Sequence, residues 1–382
     1  MFTLSDIKTP SYVFDIGVFH NRVKKVKEAF GDKIKLCYSI KANPFLTGST
    51  PEEIEYLEVC SPGELTICEK KLSDLSCIIY SGVNKTPVDV KRAMDDNVGI
   101  FTAESKYHAE IINECAIENN KKVKLIIRLT SGNQFGMSEE DLLDIISNEK
   151  DYAGLDIIGL HYYSGTQKKK SSAIEKELTK LGEFIDRLKS EYDFEVKHLE
   201  YGTGMACDYF SDNSEEIDMA LLAEVGPIVK SFSERYPLNI EMGRFFASPV
   251  GKYYTKVMDI KAGQDTNFVI CDGGINQLKY YGQTMAMQVP HIEVLNKVGD
   301  EEKDYYLCGS LCTVADVLVR KASLKGVGRG SVLVFDRCGA YSACEGIALF
   351  LSREMPAVYL YTTDEKLVLC RDLVLTDIYN TP

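Results

Sequence analysis

The sequence predicts a (β/α)8 barrel followed by a second domain made mostly of β-strands. Up to about residue 250, short apolar segments alternate with helical patterns, as in parallel strands joined by crossover helices. Beyond that point the helical patterns stop, and apolar segments follow one another directly. We therefore expect a barrel over residues 17–250 and a C-terminal β domain over 251–382, joined by an N-terminal strand within 1–16.

Eight apolar segments are predicted as the barrel strands: 34–40, 55–60, 77–80, 98–101, 123–129, 155–161, 196–201 and 238–242. Helical patterns lie between most of them, for example at 173–192 and 218–236. An open, doubly wound sheet is the alternative that the same alternation permits. Eight strands within roughly 230 residues favour the barrel.

The region after residue 250 is predicted to be all-β. Its segments 253–257, 268–271, 331–335 and 358–361 have strand character without helices between them, and 11–15 forms a similar strand before the barrel. The glycine-rich stretch 326–330 joins two β segments and opens no helix, so we interpret it as a turn.

Composition excludes several classes of function. The net charge of −13 argues against a nucleic-acid partner, and the basic run 168–170 is more consistent with a solvated loop or helix start. No run of about 18 apolar residues is present, so we expect no membrane-spanning helix. The first residues lack the basic and apolar segments of a signal peptide.

The cysteines and histidines predict neither a metal site nor a disulfide framework. Twelve cysteines are scattered without a CxxC pair, and the five histidines show no zinc-ligand spacing. Scattered thiols in an acidic chain without a signal peptide suggest a reducing, cytoplasmic location.

Lys41 occupies the most informative position, because it follows a predicted strand directly. The strand ends at residue 40, and Pro44 cannot continue a ladder of strand hydrogen bonds. A buried lysine amine is costly unless it is neutralised or paired. Schiff-base chemistry uses an amine placed in this way. A lysine that points to solvent is the alternative.

Other polar residues and glycines also stand where predicted strands end, namely Ser61, Gly63, Arg128, His161, Gly202, Gly204, Glu241 and Arg244. In a barrel these strand ends converge on one face, where such enzymes carry out their chemistry. Glycines after the seventh strand are suited to a phosphate group, although a tight turn would also explain them. A surface ion pair would explain Glu241 and Arg244 equally well. Together with Lys41, the set suggests a phosphate-bearing cofactor attached to a lysine.

Taken in order, these motifs resemble the fold-type III decarboxylases that use pyridoxal 5'-phosphate (PLP), the group containing diaminopimelate and ornithine decarboxylases. The resemblance extends over nearly the whole chain, in the segments 9–15, 38–43, 58–65, 159–167, 241–244, 308–316, 339–341 and 352–357. It implies the alanine racemase-like fold of a barrel with a β domain. It also implies a homodimer whose two subunits share their active sites.

The resemblance implies a role for each matching residue. Lys41 would bind PLP as a Schiff base, and Glu241 would pair with the nitrogen of the pyridine ring. Cys312 of the neighbouring subunit would return a proton after carbon dioxide leaves, and Asp316 would line the same site. The phosphate would be held by Gly202, Gly204, Arg244 and Tyr341, with Thr166 as a further donor.

Three positions depart from the family pattern, and all concern the cofactor ring or the substrate. Tyr163 stands where family members usually carry a histidine that stacks on the ring. His161 lies two residues earlier and shares the same side of the strand, so either residue could face the cofactor. Thr313, directly after Cys312, replaces the acid that holds a distal ammonium, and Tyr280 aligns with a substrate-binding arginine.

We therefore expect a PLP-dependent decarboxylase that removes the α-carboxylate of an amino acid or an amino-acid conjugate. Neither Thr313 nor Tyr280 carries a charge, so we expect the far end of the substrate to be uncharged or extended. A glutamyl group tethered to a carrier protein and a citryl-diamino acid are two such conjugates. A diaminopimelate, lysine or ornithine decarboxylase, an amino-acid racemase and an inactive regulatory homologue are the alternatives. Glu241 argues against the racemase, which usually places an arginine at the ring nitrogen.

Overall fold

Eight parallel strands close into a barrel in the computed structural model, which describes residues 2–263, 266–280, 286–346 and 348–382. One strand, β1 (Ser11–Asp15), precedes the barrel. The barrel strands are β2 (Lys35–Ser39), β3 (Ile54–Val59), β4 (Ile78–Tyr80), β5 (Ile100–Ala103), β6 (Val123–Arg128), β7 (Leu155–Tyr163), β8 (His198–Gly202) and β9 (Asn239–Met242). Strand β9 pairs with β2, placing Glu241 opposite Cys37. The barrel prediction is confirmed, and the open-sheet alternative is wrong.

Helices precede, connect and follow the barrel strands. They are α1 (Ile16–Phe30), α2 (Pro62–Lys71), α3 (Pro87–Asp95), α4 (Lys106–Glu118), α5 (Glu139–Ser147), α6 (Ser171–Tyr192), α7 (Ser214–Ser233) and the short α8 (Arg244–Ala247). Helices α2 to α7 connect the barrel strands from β3 to β9, whereas α1 precedes the barrel and α8 follows it. The side chains of Ser61 and Thr86 accept hydrogen bonds from the first turns of α2 and α3. A proline follows each cap directly, where its missing N–H costs nothing.

The longest of these helices, α6, is amphipathic. Its buried side chains recur every three or four residues and include Ile174, Leu178, Leu181, Ile185 and Leu188. The helix ends at Tyr192 and is followed by Asp193, which has a left-handed backbone conformation. The same periodicity predicted this helix at 173–192. The helix predicted at 218–236 corresponds to α7, which begins and ends a few residues earlier.

The remaining strands form a nine-stranded mixed sheet that includes β1. They are β10 (Gly251–Ala262), β11 (Asn267–Cys271), β12 (Ile292–Leu295), β13 (Glu302–Cys308), β14 (Val317–Lys325), β15 (Val332–Phe335), β16 (Ala357–Tyr361) and β17 (Leu367–Arg371). Strand β1 lies between β10, to which it is antiparallel, and β16, to which it is parallel. The glycine-rich stretch 326–330 lies between β14 and β15, as predicted for a turn.

The described residues divide into two compact units. The barrel unit comprises 22–206 and 218–245, and the sheet unit comprises 1–21, 207–217 and 246–382. The predicted ranges, 17–250 and 251–382, differ chiefly in the segment 207–217. Within the sheet unit, the carbonyl oxygen of Asp208 accepts a hydrogen bond of 2.7 Å from Arg337, and the Tyr209 ring packs edge-on against Tyr280. These contacts join residues far apart in sequence, so local patterns could not predict them.

Within the described ranges, none of the helices combines the length and the apolar character that crossing a membrane requires.

A buried ion pair joins α1 to α7 and generates a prediction about stability. Arg22 and Asp218 lie 2.9 Å apart with side chains only 2% and 1% exposed. Replacing Asp218 with alanine leaves the Arg22 charge buried without this carboxylate, so we expect the free energy of unfolding to fall by about 3–5 kcal/mol. Urea unfolding followed by circular dichroism measures the change.

The exposed pair Lys91–Asp95, at 3.1 Å on α3, provides the matched control. Replacing Asp95 with alanine is expected to change the free energy of unfolding by about 0–1 kcal/mol. An equal loss of unfolding free energy in the two variants would show that burial does not determine how much these ion pairs contribute to stability.

Candidate active site

Lys41 lies at the end of β2, in a short turn of 3-10 helix over residues 40–42. Its amine contacts the carboxylate of Glu58 and lies 3.7 Å from Oε1 of Glu241. The lysine side chain is 37% exposed, whereas the two glutamate side chains are only 3% and 9% exposed. The lysine side chain is therefore partly accessible at the carboxyl end of the barrel strands, and the acids that pair with its amine are buried. Two carboxylates hold the amine, so Lys41 does not extend freely into solvent as the alternative proposed.

The two glutamates face the barrel interior because side chains alternate along each strand. Glu58 on β3 lies opposite Ser39, and Glu241 on β9 lies opposite Cys37. The hydroxyl of Ser39 donates a hydrogen bond of 2.9 Å to Glu241. Sequence analysis missed Glu58 as a partner of the lysine. The available signal was its position two residues before the end of the predicted strand 55–60, on the inward face with Cys60.

The environment of Glu241 keeps its carboxyl group ionised. Burial raises the pKa of Glu241, whereas the nearby Lys41 ammonium lowers it. His161 and Ser39 lower the pKa further, and the net result lies well below the usual range. In the part of the chain that the structure describes, Oε2 of Glu241 has no hydrogen-bond partner of suitable geometry.

His161 and Tyr163 occupy different surroundings on β7. Nε2 of the fully buried His161 lies 3.2 Å from Oε2 of Glu241, although the angle does not suit a hydrogen bond. Burial raises the pKa of the Tyr163 hydroxyl, and a hydrogen bond with Thr166 lowers it. Both side chains therefore lie near the Lys41–Glu241 group, and which of them faces the ring of the cofactor stays a prediction.

The loops that follow β7 and β8 are bound to each other through their backbones. The N–H of Lys168 donates to the carbonyl of Gly204 at 2.8 Å, and the N–H of Ala206 donates back to Lys168 at 3.1 Å. Gly204 has a φ of +62°, and a Cβ atom there would lie 1.9 Å from the carbonyl oxygen of Gly165. A Cβ atom on Gly202 would lie 2.5 Å from the ring of Tyr163. Close packing therefore requires glycine at both predicted positions.

Arg244 begins α8 and reaches the same loops. Its Nε donates a hydrogen bond of 3.3 Å to the hydroxyl of Thr166. Glu241, three residues earlier, lies buried against Lys41 and His161. The interpretation of Glu241 and Arg244 as a surface ion pair is therefore wrong. The structure brings Arg244, Thr166 and Gly204 together at the ends of β7, β8 and β9.

Arg128, at the end of β6, belongs to a second buried group of charges. Its Nη1 donates a hydrogen bond of 2.8 Å to Glu104, whose other oxygen accepts from the N–H of Gly136 at 3.1 Å. Lys85 is also buried, and its amine donates to the carbonyl of Gly82 at 2.5 Å. Burial lowers the pKa of Lys85 to about 8, although Glu104 acts in the opposite direction. Sequence analysis did not identify Lys85 or Glu104.

The sheet unit carries the remaining candidates, beginning with the loop between β13 and β14. Cys312 and Thr313 are exposed in this loop. Asp316 at the end of the loop is buried and accepts hydrogen bonds from the N–H groups of Ile275 and Leu311, at 2.8 and 2.6 Å. Burial raises the pKa of Asp316, and these two donors oppose the effect. Asp316 therefore holds the loop in place, and its role in lining the substrate site stays a prediction.

Tyr280 and Tyr341 also lie in the sheet unit. Tyr280 is buried, and its hydroxyl donates a hydrogen bond of 2.5 Å to the carbonyl of Asp336. Tyr341 has a left-handed backbone with a φ of +66°, a conformation that is uncommon outside glycine. The proposed contacts of Tyr280 with substrate and of Tyr341 with phosphate stay predictions.

Comparison with solved structures agrees with the architecture. The crystal structure of diaminopimelate decarboxylase from M. jannaschii matches with a TM-score of 0.85 at 23% identity, covering 99% of this chain and 92% of that chain. At this identity the likeness concerns the fold. It supports the barrel and the mostly β-stranded second unit as the fold-type III arrangement.

Three known proteins are similar over most of the sequence. A 2-[(L-alanin-3-ylcarbamoyl)methyl]-2-hydroxybutanedioate decarboxylase of Staphylococcus aureus (strain NCTC 8325 / PS 47) is 25% identical, over 93% of this chain and 94% of its own length. A diaminopimelate decarboxylase of Aquifex aeolicus (strain VF5) is 26% identical, over 87% of this chain and 82% of its own length. An L-glutamyl-[BtrI acyl-carrier protein] decarboxylase of Niallia circulans is 25% identical over 91% and 88%.

A family model identifies the common element of these proteins. The model of the pyridoxal-dependent decarboxylase family, pyridoxal binding domain, matches residues 16–248. This range is more than half of the 382 residues and contains all eight barrel strands. The similar proteins are named as decarboxylases, which is consistent with an enzyme of the lyase class. The chain belongs to the pyridoxal-dependent decarboxylase family.

Proposed function

We propose that Lys41 binds PLP and that the enzyme removes the α-carboxylate from an amino-acid group. The observation that carries this proposal is the partly exposed Lys41 side chain, whose amine is held between the buried carboxylates of Glu58 and Glu241. This arrangement places a primary amine at the face of a barrel where such enzymes carry out their chemistry. Membership of the family supplies the class of cofactor.

The side chains of the barrel unit fit PLP. Oε2 of Glu241 is buried without a hydrogen-bond partner among the described residues, so it can accept a hydrogen bond from a ring nitrogen. Gly202 and Gly204 leave no space for larger side chains beside the loops that carry Thr166. Arg244 reaches Thr166 and would hold a phosphate group there. Lys41 would hold the aldehyde end, and Tyr341 is the proposed further contact to the phosphate.

When bound, PLP supplies an electron sink for the electron pair that remains after carbon dioxide leaves. The residues of this chain prepare and complete that step. Glu241 stays ionised and would hold a proton on the ring nitrogen, which makes the ring a stronger sink. Glu58 accepts a hydrogen bond from the Lys41 amine and orients it. An acid at Glu241 favours decarboxylation over the racemase alternative, because racemases of this fold usually place an arginine there.

Cys312 is the proposed donor of the proton that replaces the carboxylate. We propose that it acts on the site of a second subunit, so that the enzyme is a homodimer. Cys312 is exposed, and the neighbouring Val314 is 99% exposed. An apolar side chain that projects fully from a loop is consistent with burial against another protein surface.

The substrate is proposed to carry an uncharged or extended group at its far end. Thr313 has no charge, and the hydroxyl of Tyr280 is already bonded to Asp336. Neither residue supplies the ion pair that would recognise a distal ammonium or carboxylate, and a contact of that kind contributes strongly to discrimination. Two of the similar proteins act, by name, on an amide-linked amino acid and on a carrier-protein-bound glutamyl group. Free diaminopimelate is the alternative, as in the Aquifex aeolicus protein.

The cofactor attachment predicts a colour. The purified protein should be yellow, because PLP bound to a lysine absorbs visible light, and Lys41→Ala should remove this absorption band. Lys35→Ala, at the opposite end of β2, provides the control and should keep the band. A colourless wild-type protein that takes up no PLP would instead support the inactive regulatory homologue.

The substrate proposal predicts a preference for conjugates. Carbon dioxide release should be measured with meso-diaminopimelate, L- and D-lysine, L- and D-ornithine, a carrier-bound glutamyl group and a citryl-diamino acid. We expect a kcat/KM for one of the conjugates at least about 100-fold above the values for the free diamino acids. Efficient turnover of free diaminopimelate, above about 10⁴ M⁻¹s⁻¹, would show that the argument from Thr313 is wrong.

The shared site predicts complementation between inactive subunits. Mixing Lys41→Ala with Cys312→Ala should restore up to about one quarter of the wild-type activity, because random exchange makes half of the dimers mixed and each mixed dimer has one intact site. Lys41→Ala mixed with Glu241→Ala should restore nothing, since both residues belong to the site of the same subunit. No recovery in the first mixture, or an active monomer, would refute the shared site.

A further inference from the structure

Glu177, on α6, accepts hydrogen bonds from three side chains around the loop that follows β7. The hydroxyl of Ser164 donates to Oε1 at 2.5 Å, and the amine of Lys168 donates to Oε2 at 2.6 Å. The hydroxyl of Tyr201, on β8, donates to Oε2 at 2.7 Å. Residues 164–168 are called the β7 loop below. One carboxylate therefore binds both ends of the β7 loop and connects them to the next strand.

The β7 loop carries the contacts that we assign to the phosphate end of the cofactor. Thr166, in its middle, accepts the hydrogen bond from Arg244 at 3.3 Å. The backbone of Lys168, at its end, binds the backbone of Gly204 at 2.8 Å. Movement of this loop would thus displace the Thr166 hydroxyl, the Arg244 side chain and the Gly204 peptide together.

The conformation of the β7 loop needs support from outside the loop. Gly165 has a φ of +139°, which glycine adopts readily, whereas Gln167 has a φ of +60°, which is uncommon for residues other than glycine. Such conformations persist where surrounding contacts fix them. The Glu177 carboxylate supplies two of those contacts, one on each side of these residues.

Charge gives a second reason why the loop depends on Glu177. The Lys168 side chain is only 12% exposed, and burial lowers the pKa of its amine while Glu177 opposes that effect. The amine also lies 5.8 Å from the centre of the Tyr201 ring. The sequence suggested a solvated basic run at 168–170, and for Lys168 that interpretation is wrong. Removing the Glu177 carboxylate would leave a largely buried ammonium without its ion pair.

We infer that Glu177 is a positioning residue for the phosphate end of PLP, acting through the β7 loop without touching the cofactor. This inference rests on the proposed function. On this inference, the contacts to the phosphate end of the cofactor depend on a loop. The contacts to its ring and aldehyde come from Glu241, on β9, and Lys41, directly after β2.

The test compares the binding of two ligands to the cofactor-free protein. PLP and pyridoxal, which lacks the phosphate, are titrated into wild type, Glu177→Ala and Glu177→Gln, and binding is followed by absorbance. We expect Glu177→Ala to weaken PLP binding at least about tenfold and to change pyridoxal binding less than about twofold. Glu177→Gln should lie between wild type and Glu177→Ala, because an amide can keep hydrogen bonds with the hydroxyl groups while losing the ion pair with Lys168.

Glu175→Ala provides the matched control, because this exposed residue lies on the same helix and carries the same charge. It should bind both ligands like wild type. If Glu177→Ala weakens the binding of both ligands equally, or of neither, the inference is wrong. If the cofactor-free Glu177→Ala protein does not fold, Tyr201→Phe and Ser164→Ala each remove one of the three bonds. Each of these variants must then weaken the binding of PLP more than the binding of pyridoxal. An equal effect on the binding of the two ligands overturns the inference.

The two proposals can fail separately. A wild-type protein that binds neither ligand contradicts the proposed function itself. A different result would contradict only the role of Glu177. In that case wild type binds PLP more tightly than pyridoxal, and Glu177→Ala shows the same preference by the same factor.

Discussion

The pairing of buried charges inside the barrel is the interaction on which the rest of the site depends. Parallel strands closed into a barrel point alternate side chains into one enclosed space. Glu58, Glu200 and Glu241 all face this space and are buried. A buried carboxylate is costly unless an ion pair or hydrogen bonds compensate for the lost water. Glu58 and Glu241 have the Lys41 amine, and Glu200 lies 2.8 Å from the ring of His198.

This pairing also decides which group near the barrel mouth can react with a carbonyl compound. The thiol of Cys60 lies 3.5 Å from the Lys41 amine and could compete with it as a nucleophile. Burial and the Glu58 carboxylate raise the pKa of Cys60 well above its usual value, although Lys41 acts in the opposite direction. Burial and the neighbouring Glu200 carboxylate do the same for Cys37. A raised pKa disfavours the thiolate that would react, so these two thiols are poorer competitors for a carbonyl compound.

Sequence periodicity predicted the barrel because each βα unit carries its own local signal. The positions of Lys41 and Glu241 followed from the same signal, since a strand end is visible in the sequence. Glu58 was missed because its pairing with Lys41 depends on the register between β2 and β3. The place of the segment 207–217 in the sheet unit could not be predicted for a related reason, because its contacts to Arg337 and Tyr280 span more than 60 residues. Patterns within one segment carry no information about such contacts.

The groups proposed for the cofactor ring and those proposed for the substrate lie on different parts of the fold, which explains how one fold can serve different substrates. The groups proposed to hold the ring of the cofactor lie on or directly after barrel strands, where backbone hydrogen bonds and paired charges fix them. The groups proposed to meet the far end of the substrate include Thr313, in an exposed loop whose shape depends on the buried Asp316. Loops tolerate substitution better than barrel interiors do. Similar proteins named for different substrates, all near 25% identity to this chain, are the outcome expected when chemistry is fixed by the strands and specificity by the loops.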